Sequence, residues 1–107
     1  MVPSAAGALT DRELMDRALA AAASVRTSTA PNPWVGAVLR TADGTTHVGA
    51  TEPPGGAHAE IVALRSAGDT AGGATLVTTL EPCSHQGRTG PCAEAIIAAG
   101  VARVVVG

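Results

Sequence analysis

The chain has 107 residues, 46% of them hydrophobic and 15% charged, which suits one compact domain and leaves no room for a second within it. Seven Lys and Arg against nine Asp and Glu give a net charge of -2, so the basic footprint of a nucleic-acid binder is absent, and with Trp34 as the sole aromatic residue so are base-stacking platforms. No apolar run approaches the ~20 residues that span a bilayer, and acidic Asp11, Glu13 and Asp16 do not suit a secretory signal, so no membrane partner and a cytoplasmic location are expected.

Thr10-Asp11-Arg12-Glu13 has the spacing of a capping box, with Leu9 and Leu14 placed to staple the entry, and predicts a helix over 11–24 whose buried stripe is Leu14, Ala18, Ala21, Ala22 and Val25. Polar residues and the prolines Pro31 and Pro33 make 25–33 a shaped loop. Residues 34–39 read as a buried strand and 45–48 as a second, joined in a hairpin by a turn around Asp43-Gly44. After the break at Pro53-Pro54-Gly55-Gly56, residues 57–67 carry the Ile61, Leu64 and Ala67 spacing of a helix that stops at Gly68. Residues 74–80 are the central-strand candidate, 81–90 a long loop, and Pro91 suits the first turn of a helix that continues over 92–99 to a stop at Gly100. Residues 101–106 close as a strand. This order predicts an α/β fold, a mixed sheet sandwiched by helices with its last two strands parallel. With Ala, Val, Leu and Ile filling the core, the layers must pack closely.

His58, Cys83 and Cys92 stand at the starts of elements, and imidazole with thiolates is a donor set that zinc takes readily. Reduced cytoplasmic thiols favour metal over a disulfide, which is the minority reading. The N-terminus of a helix favours the thiolate of Cys92. Three protein ligands leave a fourth position open, the mark that separates catalytic from structural zinc. Glu60 is the neighbouring base; at i, i+2 from His58 it would point to another side of an ideal helix, so its reach to the metal relies on this being the first turn. A glutamate that moves a proton from water to a ring nitrogen and then to a leaving amine suits hydrolytic deamination of an amidine-like heterocycle.

His58-Ala59-Glu60 followed by Pro82-Cys83 matches the H-x-E and P-C pattern of zinc nucleobase deaminases, except that eight residues separate Cys83 from Cys92. That long spacing, in T-L-E-P-C-S-H-Q-G-R-T-G-P-C from Thr79 to Cys92, together with P-N-P-W-V-G-A-V from Pro31 to Val38, closely resembles the pyrimidine deaminases of riboflavin biosynthesis over most of the chain. The resemblance implies a three-layer α-β-α cytidine-deaminase-like fold that deaminates diamino-ribosylamino-pyrimidinone 5'-phosphate, a small pyrimidine ribotide, and releases ammonia. It implies Zn2+ held by His58, Cys83 and Cys92, Glu60 as proton shuttle, and Asn32 facing the pyrimidine. It further implies that His85 and Arg88 lie in the substrate loop, where Arg88 is a charge-assisted donor for the phosphate. Ala57 stands where such proteins usually carry Pro, and Gly90 where they often carry a second one; both changes are expected to loosen a loop. These proteins normally continue past Val106 with a further strand and often a nicotinamide-dependent reductase domain. The present chain therefore reads as a C-terminally truncated deaminase half, with a separate reductase as possible partner and a last strand whose edge favours homo-oligomers.

Plainer readings stand beside these. Two cysteines and a histidine can be ordinary core residues, His85 can be the fourth ligand of a closed structural site, and Arg88 can be a solvated charge. Asn32 can simply shape its turn, while His47 reads as structural and Trp34 as packing. Two alternative functions remain open: a deaminase of the same fold acting on another base or nucleoside, and an inactive zinc module serving assembly.

Overall fold

The computed structural model describes residues 10–25, 34–53, 56–79 and 91–106, of which 91–93 are described by backbone alone. Helix α1 (Asp11–Ser24) begins with the capping box expected for it. The Thr10 hydroxyl accepts from the Glu13 N–H at 3.1 Å, and the Glu13 carboxylate accepts from the Thr10 N–H at 2.9 Å. The staple from Leu9 lies outside the described residues. Strands β1 (Gly36–Arg40) and β2 (Thr46–Ala50) form the hairpin, closed by Gly44 in a left-handed conformation with φ 93°. Helix α2 (Ala59–Ala67) comes next, ends on Gly68 with φ 57°, and runs into a short 3-10 turn (Gly68–Ala71) that the sequence pattern does not signal. Then come β3 (Thr75–Thr78), α3 (Pro91–Ala98) and β4 (Arg103–Val106).

The sheet order is β2-β1-β3-β4, antiparallel across β1 and parallel between β3 and β4, the mixed sheet that was expected. Alternation along the strands divides the core in two. Val38 and Val77 meet Leu14 and Ala18 of α1 on one face, with Met15 and Val105 at the margin. On the other face Ala37, Leu39 and Leu76 meet Ala59, Ala63 and Ala67 of α2 and Ile96 of α3. The result is three layers, helix on sheet on helix.

Alanine faces and two glycines set the layer spacing. A Cβ on Gly36 would lie 1.8 Å from the Ala18 carbonyl oxygen of α1, and one on Gly49 would lie 2.2 Å from the Ala59 carbonyl oxygen of α2. Each helix thus lays its backbone directly on the sheet. Trp34, expected to pack, stands 48% exposed at the entrance to β1. His47 has a partner across layers, its Nδ1 hydrogen-bonded to Ser66 Oγ of α2 at 2.9 Å. At the far edge Arg103 makes a forked ion pair with Asp11, tying β4 to the head of α1. No described helix is long and apolar enough to cross a membrane.

Candidate active site

Strands β2 and β3 both run antiparallel to β1 and therefore parallel to each other in direction. The helices that come after them, α2 and α3, consequently begin at one and the same end of the sheet, and they pack against each other on one face. His58 is the residue before α2 and Cys92 is in the first turn of α3. Topology thus gathers two of the three expected metal ligands at the end where β2 and β3 finish. Cys83 lies outside the described residues, as do Asn32, His85 and Arg88, and the Cys92 side chain is not described. Among the described residues no cluster of three metal-binding side chains is complete.

His58 occupies the N-cap position with extended backbone, φ -72° and ψ 159°, and its carbonyl accepts the Val62 N–H at 3.0 Å. Its side chain makes no capping bond, although a cap is where Ser, Thr, Asp or Asn would ordinarily serve the helix. A histidine here fits a task other than capping. Because His58 precedes the helical backbone, the i, i+2 geometry of an ideal helix does not govern its relation to Glu60. His58 is exposed, whereas Glu60 is 3% exposed and stands three and seven residues before Ala63 and Ala67 on the stripe that faces the sheet.

A carboxylate in that position is out of the ordinary. Burial pushes the Glu60 carboxyl above its usual range, opposed by its own backbone N–H and by the charge of His58. Desolvation dominates, so Glu60 holds a proton more readily than a surface glutamate.

The mouth of the site is braced by residues that sequence patterning did not single out. The Thr51 hydroxyl accepts the Val35 N–H at 3.0 Å and the Thr79 hydroxyl accepts the Gly36 N–H at 3.2 Å, so the start of β1 is held from both neighbouring strands. Each threonine stands directly after the last residue of its strand, and that position is the signal that could have found them. Glu52 N–H donates to the Ala57 carbonyl at 3.0 Å, and the Glu52 carboxylate accepts the Ala57 N–H at 2.7 Å. The loosening expected from alanine at position 57 is therefore offset by an N–H that proline would lack.

The donor set fits zinc: an imidazole not engaged in capping and a cysteine in a helical first turn begin neighbouring helices at one sheet end, beside a buried carboxyl. The family model for the cytidine and deoxycytidylate deaminase zinc-binding region matches residues 9–107. The chain belongs to this family. Its cofactor is accordingly Zn2+, and its cytidine-deaminase-like fold is shared with solved relatives. It is 52% identical over 99 residues to the riboflavin biosynthesis protein RibD of Synechocystis, covering 92% of this chain, and 53% identical over 95 residues to that of Escherichia coli, covering 89%. RibD of Acinetobacter baumannii superposes with a TM-score of 0.80 at 47% identity over 90% of the chain. A diaminohydroxyphosphoribosylaminopyrimidine deaminase and 5-amino-6-(5-phosphoribosylamino)uracil reductase of Thermotoga maritima does so with 0.75 at 38% identity over 91%. The chain spans 26% to 29% of the length of those four relatives.

Proposed function

We propose that this chain is the deaminase unit of riboflavin biosynthesis, hydrolysing diamino-ribosylamino-pyrimidinone 5'-phosphate to the amino-pyrimidinedione with release of ammonia. The observation that carries this reading is the buried Glu60 two residues beyond His58, in a chain about half identical to riboflavin biosynthesis proteins. A purely structural zinc module has no use for a desolvated carboxyl at that place. Residues 1–107 form one zinc-dependent domain in this proposal, and the companion reduction belongs to a separate domain or protein.

His58, Cys83 and Cys92 would hold the zinc. When bound, zinc supplies the Lewis acidity that makes water nucleophilic near neutral pH. Glu60 would take one proton from the attacking water and pass it to the ring nitrogen as the C–O bond forms, then take the second proton from the new hydroxyl and pass it to the amine, which leaves as ammonia when the C–N bond breaks. Asn32 would face the pyrimidine, His85 would line the substrate loop, and Arg88 would meet the phosphate. The thiols must stay reduced to bind metal, which suits the cytoplasm.

Ammonia release from this pyrimidine phosphate, measured for the zinc-loaded protein and for Glu60→Gln, tests the reading. Loss of a proton shuttle is expected to cost on the order of a hundredfold to ten-thousandfold in rate, with zinc still bound to the variant. A variant as fast as the parent removes Glu60 from the chemistry. Turnover of free cytidine or guanine in place of the ribotide redirects the substrate assignment.

A further inference from the structure

We propose that Glu52 is a positioning residue for the zinc ligand His58. Ala57, the residue just before His58, has both of its backbone hydrogen-bonding groups taken by this one glutamate: its N–H by the carboxylate at 2.7 Å and its carbonyl by the Glu52 N–H at 3.0 Å. Glu52 is itself anchored to the sheet through Thr51, whose N–H donates to the Val35 carbonyl at 3.0 Å and whose hydroxyl accepts the Val35 N–H. Hydrogen bonds therefore tie Thr51 to Val35, at the head of β1, and tie its chain neighbour Glu52 to Ala57. His58 is next in the chain, and on its other side the Val62 N–H holds its carbonyl at 3.0 Å.

The fit of the carboxylate is close. A Cβ on Gly56 would lie 2.6 Å from Glu52 Cβ and 2.9 Å from Oε1, so the acid lies over a position that only glycine leaves open. Glu52 is an exposed residue with no core to fill. Its effect is to fix the backbone from which the imidazole projects. Groups that orient a metal ligand without touching the metal typically govern affinity by about ten- to a hundredfold.

This inference rests on the zinc-site reading given above, and zinc affinity tests it without any substrate. The probe is Zn2+ alone, titrated into the 107-residue apoprotein in competition with a chromophoric chelator, for the parent, Glu52→Gln, Glu52→Asp and Glu52→Ala. Gln keeps an oxygen at the same reach and is expected to bind zinc within about twofold of the parent. Asp keeps the charge but is one methylene short, and both Asp and Ala are expected to weaken zinc by about tenfold. Asp43→Ala, in the β1–β2 turn, serves as the control for general loss of stability. Parent-like affinity in Glu52→Ala overturns the proposal, as does a Gln variant as weak as Ala, or an equal loss in the turn control. A chain that binds zinc in the expected order yet releases no ammonia from the pyrimidine phosphate overturns the proposed reaction and leaves the role of Glu52 standing.

Discussion

Gly36 and Gly49 show how much a single missing side chain can decide, since each lies where a helix backbone meets the sheet. In Gly36→Ala the new methyl would collide with the Ala18 carbonyl and, at 2.7 Å, with the Ala22 nitrogen, neither of which belongs to a flexible side chain. Overpacking of this kind typically costs about 1–3 kcal/mol. Urea denaturation of Gly36→Ala should show a lower midpoint with an unchanged slope, and a midpoint equal to that of the parent would mean that α1 can slide away freely. The same scale separates what the sequence disclosed from what it hid. The spacing of His58 and Glu60 is a chemical pattern that singles them out as candidates, whereas nothing of the kind marks Glu52, Thr51 and Thr79. Their roles depend on hydrogen bonds to Ala57, Val35 and Gly36, and no local pattern announces which backbone group a side chain will meet.

Element boundaries were set by short-range devices that differ in how plainly they read. The capping box started α1 at Asp11 as expected, and glycines closed α2 and the hairpin turn. The 3-10 turn after Gly68 was hidden because a glycine stop signals the end of one helix and leaves the conformation of the next residues unspecified. The turn from Thr41 to Thr45 carries its own pH dependence. Hydrogen bonds from the Thr41 hydroxyl, first, and then from the Thr45 N–H at 3.0 Å hold the Asp43 carboxyl down to about 2, against an ordinary 3.8. A folded-state value below the unfolded one contributes stability above pH ~4 that disappears as pH falls towards ~2. Asp43→Asn has no such titration, so the stability difference between parent and variant should shrink over that window in urea melts taken from about pH 5 to about pH 2. A difference independent of pH would remove Asp43 from the acid response of the turn.

At the scale of the molecule, the order of helices and strands was enough to anticipate a mixed, helix-covered sheet, because strands that succeed one another closely pair and strands separated by a helix run parallel. The long Cys83 to Cys92 spacing and the proline-flanked string before it carried the resemblance, and the family model over residues 9–107 shows the membership. Pairing of β1 with β3 was harder to foresee. It joins residues 35 to 41 positions apart, from Arg40 with Thr75 to Ala37 with Thr78, whereas β1 meets β2 across a short turn. That arrangement gives the protein two parts with different entropic histories. The hairpin and α2, which bring His58, need only local closures, while β3, α3 and β4, which bring Cys92, must be recruited over a much longer loop. On the proposed ligand set, zinc held between His58 and Cys92 would act as a latch on the half that is recruited over the longer loop. Stopped-flow refolding is expected to show a faster final phase with zinc than with a chelator, and identical traces under both conditions would mean that the halves dock without the metal's help.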